Sequence, residues 1–152
     1  MKRILLTRDQ FSLVDGEDFE WLSQWKWHYS QCGYAVRSVY KGNPATIPMH
    51  RMILQTPRGH DTDHVNGNKL DNQRRNLRVA TRSQNMMNAK KRADNTSGYK
   101  GVSWFRETRK WCAKIQIDGR SYNLGYADTR EEAFLIYSRR AKELFGEFSR
   151  LN

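Results

Sequence analysis

The sequence contains little cysteine and no long apolar run, and its acidic residues are far outnumbered by basic ones. The two cysteines, Cys32 and Cys112, lie far apart without Cys-x-x-Cys spacing. A zinc ribbon is therefore not expected. We expect two buried free thiols in a reducing cytoplasm instead. No stretch approaches the roughly 20 apolar residues of a membrane-spanning helix. The apolar part of MKRILLTRDQF is also too short for a signal peptide.

The charge balance narrows the class of partner. Lys and Arg number 27 against 16 Asp and Glu in 152 residues, a formal net charge of +11. Such an excess favours a polyanion, with nucleic acid first and an anionic membrane surface second. The length suits one medium domain or two small ones.

The most informative stretch is DHVNGNKLDNQRRNLRVATRSQN, from Asp63 to Asn85. Its Gly- and Asn-rich loop suits tight turns. Residues 76–80 alternate like a short strand, and Thr81 with Gln84 forms a capping box that starts a helix. The predicted order is strand, long loop, strand, helix, with Asp63 and His64 at the end of the first strand and Asn85 one turn into the helix.

This arrangement suits metal-assisted phosphodiester cleavage. A hard divalent cation prefers oxygen ligands, which Asp63 and the amide of Asn85 supply. His64, beside that site, is placed to take a proton from attacking water. We expect Mg²⁺ or Mn²⁺ as the cofactor.

The segments DHVNG, DN, NLR and TRSQNMMN, in this order, resemble the HNH endonucleases, most closely the phage and intron-encoded homing type. The resemblance implies a ββα-metal core with His64 as general base and Asp63 as metal ligand. It also implies that Asn76 braces the loop and orients His64, and that Asn85 binds metal. Two alternatives are a turn-rich surface loop without chemistry and a catalytically dead copy.

Residues 1–58 are predicted to form a β-rich lead-in. Strands are expected at 3–6, 11–14, 25–30, 34–40 and 46–50, a helix at 16–23, and a turn at Gly42-Asn43-Pro44. The tryptophans Trp21, Trp25 and Trp27 are expected in the core. In MHRMIL, Arg51 is a candidate phosphate contact, whereas His50 is either functional or a satisfied, half-buried histidine.

A basic run follows the central stretch and is predicted to be a linker over residues 91–98. Its two interpretations are a solvated linker and a strap along the DNA backbone, of which we favour the strap. The candidate DNA contacts in this part of the chain are Arg82, Lys90, Lys91 and Arg92.

The remaining residues predict a three-stranded antiparallel sheet packed on one helix. Strands are expected at 100–105, 110–117 and 120–126, with a hairpin turn at Asp118-Gly119. Thr129 and Glu132 form a capping box. The following helix has an apolar face, and Gly146 suits its end. That face contains Ala133, Tyr137, Ala141, Leu144 and Phe145. In the second strand Ala113, Ile115 and Ile117 point to the helix, while Lys114 and Gln116 point away.

The segments SGYKGVSWF, KWCAKI, LGYADTREEA and AKELFGEFSRLN resemble the plant APETALA-type DNA-binding domain. The resemblance implies that the open sheet face lies in the major groove, with contacts from Lys100, Ser103, Lys114, Gln116, Ser121 and Asn123. The family often has Arg or Trp where this chain has Ser103, Ser121 and Asn123, so its target sequence is not transferred.

The sequence thus predicts an α+β protein: lead-in 1–58, HNH ββα-metal motif 59–90, basic linker 91–98 and APETALA-type domain 99–152. The predicted function is metal-dependent hydrolysis of double-stranded DNA by a homing-type nicking endonuclease, monomeric on DNA and cytoplasmic in the host of a phage or mobile element. A DNA-binding regulator with a degenerate nuclease unit is the alternative, and RNA-directed binding or cleavage is a third class.

Overall fold

The structure is a computed structural model that describes residues 1–39 and 45–151. These residues contain small antiparallel sheets and four helices, so the α+β class is confirmed. The chain divides into two compact units, Met1–Ala80 and Thr81–Asn152. The predicted turn at Gly42-Asn43-Pro44, and Tyr40 at the end of a predicted strand, lie outside the described residues.

The first unit opens with a hairpin of β1 (Lys2–Leu5) and β2 (Phe11–Val14). Arg8 and Asp9 make the turn with positive φ angles of 63° and 54°. Helix α1 (Gly16–Leu22) follows, with acidic residues in its first turn as the helix dipole favours. Both the hairpin and the helix are where the sequence predicts them.

A second sheet of the first unit contains β3 (His28–Tyr29), β4 (Ala35–Val39) and β5 (Ala45–Pro48). The strand predicted at 25–30 is reduced to two residues. The prediction of strand through His50 is wrong, because Met49–Leu54 forms helix α2. This helix buries Met49, His50 and Ile53. Met49, His50 and Ile53, at positions i, i+1 and i+4, lie on one face of a helix, and their burial favours the helix over a strand.

The central stretch forms β6 (Asp61–His64), a 3₁₀ turn (Arg74–Asn76) and β7 (Leu77–Ala80). Strands β6 and β7 pair antiparallel, with Asp63 opposite Arg78 and His64 opposite Leu77. Helix α3 (Arg82–Asn88) begins at the predicted capping box of Thr81 and Gln84. The predicted order of strand, loop, strand and helix is confirmed.

The core of the first unit is formed by apolar residues from its hairpin, helices and sheets. Its buried members are Ile4, Leu6, Val14, Leu22, Trp27, Ala35, Met49, Ile53 and Leu77. Trp21 and Trp25 are partly buried against this core, so the tryptophans pack in the core as expected. Cys32 is exposed, which corrects the expectation of a buried thiol, whereas Cys112 is buried.

The second unit contains α3 and a sheet of β8 (Val102–Phe105), β9 (Lys110–Ile117) and β10 (Arg120–Ala127). Helix α4 (Arg130–Phe145) starts at the predicted capping box and ends at Gly146. The predicted alternation in β9 holds, because Ala113 and Ile115 are buried. They belong to one core with Met87, Ala133, Tyr137 and Ala141. Leu144 is 39% exposed and is not part of that core.

Gly101 is a position where only glycine fits. Its φ is +72°, and a Cβ there would overlap the Tyr137 ring and lie 2.8 Å from the Lys114 carbonyl. The Gly101 carbonyl accepts a 2.7 Å hydrogen bond from the Lys114 amide. The absent side chain therefore lets the chain before β8 pass over the buried tyrosine.

Candidate active site

Strand β6 ends in two consecutive polar side chains that are both buried. Asp63 is 4% exposed and His64 is 5% exposed. The register of β6 against β7 fixes the positions of both residues along the strand. The loop of residues 65–73 begins directly after His64. Burial of a carboxylate beside an imidazole is costly unless both groups have polar partners, which makes their contacts the first question.

The imidazole of His64 is held by an asparagine. Its Nε2 lies 3.1 Å from Oδ1 of Asn72, which is fully buried. Burial lowers the pKa of His64 below its usual value, and the bond to Asn72 acts in the opposite direction. A histidine that stays neutral near pH 7 is competent to accept a proton.

Asn76 bonds the two limbs of the loop to each other. Its Oδ1 accepts a 2.9 Å hydrogen bond from the Asn66 amide, and its Nδ2 donates to the Asp71 carbonyl at 2.8 Å. The Asn66 side chain also donates to Asp71 Oδ2 at 2.8 Å. Asn76 therefore supports the loop on which Asn72 lies. Its assignment to catalysis stays a prediction.

Asp63 makes an ion pair across the two-stranded sheet. Arg78 Nε donates to Asp63 Oδ2 at 2.8 Å, and the Arg78 side chain is 14% exposed. The pair follows from the register, because Asp63 and Arg78 are direct cross-strand neighbours. Arg78 was not a predicted site residue, although it belongs to the NLR segment.

Two aromatic side chains enclose His64 on another side. The His50 ring centroid lies 5.1 Å from that of His64 at an interplanar angle of 80°, and Tyr34 lies 5.0 Å from His50 and 6.0 Å from His64. Burial, helped by the charge of His64, lowers the pKa of His50 to about 3. Within the described residues, His50 Nδ1 is buried without a hydrogen-bond partner, so His50 is not a satisfied histidine.

Arg51 supports the backbone just before β6. Its guanidinium donates to the carbonyls of His60 at 2.8 Å, Thr56 at 3.2 Å and Pro57 at 3.3 Å. These bonds explain why an arginine follows His50 without invoking a ligand. Its contact with phosphate stays a prediction.

The structure brings Asp63, His64 and Asn76 together in the first unit, whereas Asn85 belongs to the second. Asn85 is half-buried in the second turn of α3. Its role as a metal ligand stays a prediction.

The donors in the first unit fit part of a metal site. Among the residues that the structure describes, no group of three or more His, Cys, Asp or Glu is arranged to hold a metal ion. Asp63 is an anionic oxygen donor beside His64. A hard cation that keeps several waters needs few carboxylates, so the single carboxylate of Asp63 is compatible with Mg²⁺ or Mn²⁺.

The open face of the second unit's sheet carries five of the predicted DNA contacts. Ser103, Lys114, Gln116, Ser121 and Asn123 are exposed there. The Asn123 side chain is engaged locally, donating to the Tyr126 hydroxyl at 2.8 Å and accepting from the Gly125 amide at 2.9 Å.

Two aromatic side chains on the same face were not among the predicted residues. The ring centroids of Phe105 and Tyr126 lie 5.5 Å apart, and Lys114 Nζ lies 5.7 Å from that of Phe105. Phe105 lies two residues after Ser103 on one strand, so both side chains point to the same face. Tyr126 pairs with Cys112, which is opposite Ser103, so the strand register places it on that face too.

Lys100 lies before β8 and is not on the sheet face. Its ammonium donates to the carbonyls of Met87 and of Ala89, the latter at 2.8 Å, at the end of α3. Burial and the charge of Arg150 lower its pKa to about 8. A lysine at a helix C-terminus stabilises the last carbonyls. Its role as a DNA contact stays a prediction.

The predicted strap lies along one wall of a groove of about 410 Å³ within the second unit, and Lys114, Gln116 and Ser121 line the same groove. Lys90, Lys91 and Arg92 of the strap are exposed. Lys91 donates to the Gly98 carbonyl at 2.9 Å, and Arg92 pairs with Asp94 at 2.8 Å. Arg82 is exposed in the first turn of α3. The groove therefore joins the basic segment to the open sheet face.

These features define a nuclease-type site: a neutral, buried histidine beside an aspartate on a strand, followed by an asparagine-braced loop. Comparison with known proteins agrees. Residues 55–87 match the family described as HNH endonuclease. Protein 3.8 of Escherichia phage T7 is 38% identical over 94 residues, covering 62% of this chain and 77% of the phage protein.

An uncharacterized HNH endonuclease of Acanthamoeba polyphaga mimivirus is 32% identical over 148 residues, covering 93% of this chain and 74% of its own length. The chain therefore belongs to the HNH endonuclease family. It is a nuclease whose substrate is DNA, and such enzymes are generally dependent on a divalent metal. No solved structure matches the chain significantly. No helix among the described residues is long and apolar enough to cross a membrane.

Proposed function

We propose that the chain is a homing-type endonuclease that hydrolyses one strand of double-stranded DNA per active site, with His64 as general base. The observation that carries the proposal is the buried imidazole of His64, bonded to Asn72 and adjacent to Asp63. Residues 1–39 and 45–151, which the structure describes, contain one such centre, so a monomer on DNA would leave a nick.

Asp63 and Asn85 would hold a divalent cation, either Mg²⁺ or Mn²⁺. When bound, the cation would supply charge neutralisation at the phosphate and the leaving oxygen. The residues of the chain do the rest. His64 takes the proton of the attacking water, and Asn76 keeps the loop in place through the Asn66 amide and the Asp71 carbonyl.

The second unit is proposed as an APETALA-type DNA reader. Its open sheet face presents Lys114 and Gln116, and the neighbouring strap of Lys90, Lys91 and Arg92 is exposed along the same groove. Cations on two sides of one groove suit a phosphate backbone. We further propose that the protein acts in the cytoplasm of a virus-infected host, as its phage and mimivirus relatives suggest.

One observation favours the alternative of a DNA-binding protein with a degenerate nuclease unit. Asp63 Oδ2 already accepts a 2.8 Å hydrogen bond from Arg78, which places a positive charge beside the proposed metal ligand. The two functions differ in whether purified protein cleaves DNA when a divalent metal is added.

The experiment that tests the proposal is plasmid cleavage by the His64→Ala variant. Loss of a general base typically costs about 10² to 10⁴ in rate, while DNA affinity should be nearly unchanged. His60→Ala, which removes an exposed imidazole from the preceding loop, is the matched control and should cleave normally. Near-normal nicking by His64→Ala at neutral pH would show that His64 is not the base. Absence of metal-dependent cleavage by the unmodified protein would favour the alternative.

A further inference from the structure

The hydrogen bonds that begin at His64 continue into the N-terminal hairpin, outside the segment that matches the HNH family. His64 Nε2 lies 3.1 Å from Asn72 Oδ1, and Asn72 Nδ2 donates to Ser12 Oγ at 2.7 Å. The Ser12 hydroxyl donates to the Leu70 carbonyl at 3.1 Å. Both Asn72 and Ser12 are fully buried, so bulk solvent does not compete for these partners.

The acceptors at the Ser12 end of this series of hydrogen bonds determine which group donates in each bond. The Ser12 hydroxyl lies 3.1 Å from the Leu70 carbonyl oxygen and 3.3 Å from Met49 Sδ, and both atoms can only accept a hydrogen bond, so its single proton is directed toward them. Ser12 Oγ then accepts from the Nδ2 group of Asn72. This leaves Asn72 Oδ1 facing His64, and an amide oxygen can only accept. The proton of the neutral imidazole must therefore be on Nε2, which makes Nδ1 the unprotonated nitrogen.

Backbone pairing holds this chain of bonds in place. The Leu13 amide donates to the Leu70 carbonyl at 2.8 Å, and the Asn72 amide donates to the Leu13 carbonyl at 2.8 Å. Leu13 thereby forms a parallel bridge with Asp71. These main-chain bonds join strand β2 to the loop after β6 and hold Ser12 beside Asn72.

We infer that Asn72 and Ser12 are positioning residues that hold His64 in the Nε2–H tautomer and so present Nδ1 as the catalytic base. The N-terminal hairpin is then part of the catalytic centre and not a separate lead-in. The inference rests on the proposed role of His64 for its catalytic consequence, whereas the tautomer itself is a property of the resting protein.

The direct test is nitrogen NMR of the full-length protein labelled at histidine, with the His64 signals assigned by their loss in His64→Ala. The expected result is a proton on Nε2 of His64 in the unmodified protein. Ser12→Ala and Asn72→Ala should each move part of the population to the Nδ1–H form. Asn72→Asp keeps an acceptor toward His64 and should keep the Nε2–H form, as should Ser12→Thr, which retains the hydroxyl.

Kinetics provide the second readout. Ser12→Ala should lower kcat by roughly 10- to 100-fold, the range typical when a partner that orients a functional imidazole is lost, with KM for DNA unchanged. Ser12→Thr should restore most of the lost kcat. Ser23→Ala, an exposed serine at the end of α1, is the matched control and should change neither parameter.

The outcomes separate this inference from the proposed function. A proton on Nδ1 of His64 in the unmodified protein would overturn the inference without any variant, even if Asn72→Ala fails to fold. Unchanged tautomer and kcat in Ser12→Ala would overturn it as well. If the tautomer shifts as expected but His64→Ala still cleaves, the positioning contacts stand and the proposed general base is wrong.

Discussion

At the scale of single residues, Asp63 has two partners to satisfy. It is buried and bonded to Arg78, and the proposed function also makes it a metal ligand. Removing the whole carboxylate would leave the mostly buried Arg78 without this partner, and loss of one member of a buried ion pair typically costs several kcal/mol. Asp63→Asn keeps the shape and an oxygen, so it is a better probe than alanine.

We predict that Asp63→Asn and Asn85→Ala both raise the metal concentration needed for half-maximal cleavage. Each change removes one proposed oxygen ligand, and fewer or neutral ligands hold a hard cation less tightly. Cleavage would be titrated with Mg²⁺ and with Mn²⁺ for each variant. Gln24→Ala, an exposed amide on the first unit, is the control. Metal curves that coincide with that of the unmodified protein would place the ligands elsewhere.

His50 links stability to pH. Its pKa is lowered to about 3 by burial first, then by His64 and Arg51, against the opposing charge of Asp61. Below pH 6.5 the unfolded chain takes up a proton at this residue that the folded chain does not bind. The free energy of unfolding therefore falls as pH decreases from about 6.5 toward 3, by up to about 1.4 kcal/mol per pH unit.

We accordingly predict that His50→Phe flattens the fall in stability between about pH 6.5 and pH 4. Phenylalanine keeps a ring against Tyr34 and His64 but takes up no proton. Urea unfolding at several pH values measures the effect, with His60→Phe as the control for an exposed imidazole. Parallel stability curves for His50→Phe and the unmodified protein would show that His50 is protonated equally in both states.

At the scale of elements, two lysines of the second unit have different surroundings although both were predicted to contact DNA. Lys100 caps the end of α3 through backbone carbonyls, whereas Lys114 is exposed on β9. The first is engaged within the fold, and the second is available to a ligand. Loss of the Lys100 side chain should therefore change stability, and loss of the Lys114 side chain should change DNA binding.

We predict that Lys100→Ala lowers stability by about 1–2 kcal/mol, since it removes charge-assisted hydrogen bonds to α3, and lowers Tm by roughly 2–8 °C. Lys114→Ala should leave Tm unchanged. If Lys114 binds a phosphate, the slope of log affinity against log salt should shrink by about 0.9. If it reads a base, specificity at one position should relax by about 1–3 kcal/mol.

The measurements are thermal unfolding and a salt series of binding curves on specific and scrambled duplexes. Each variant serves as the control for the other, because both remove one lysine from the same unit. An unchanged salt slope and specificity for Lys114→Ala would mean that the open face does not contact DNA at this residue. An unchanged Tm for Lys100→Ala would rule out its capping role.

At the scale of the whole molecule, the boundary between the two compact units falls at Ala80 and Thr81. The sequence suggests a later division, with a linker at 91–98. Helix α3 belongs to the second unit because Met87 is buried in its core and Ser83 Oγ donates to Asp118 at 2.6 Å. The helix that carries Asn85 thus depends on residues of the C-terminal sheet and helix.

We therefore predict that residues 1–95 alone lose cleavage as well as targeting. Without residues 96–152, Met87 loses its apolar partners, and a seven-residue helix is marginal by itself. Circular dichroism and plasmid nicking at low salt would compare the truncated and full chains. A truncated protein that nicks at the full-length rate, with only poorer site choice, would show instead that the linker at 91–98 separates independent modules.

The sequence by itself determined the elements whose signals are local. The capping boxes at Thr81 and Thr129 start α3 and α4, and Asp118-Gly119 makes the hairpin between β9 and β10. The strand that ends in Asp63 and His64 was likewise predicted, together with the loop after it. Caps, turns and periodicity act over a few residues, so they are readable in the order of the chain.

The tertiary structure decided which side chains meet. Ser12 and Asn72 are 60 residues apart in the sequence, and only the pairing of β2 with the loop after β6 brings them together. The Asp63–Arg78 pair depends on strand register, and the helical form of MHRMIL depends on what it buries. Lys100 turns from the sheet to α3 because the carbonyls at the end of that helix lie within its reach. Such contacts are set by burial and packing between distant segments, which local patterns do not record.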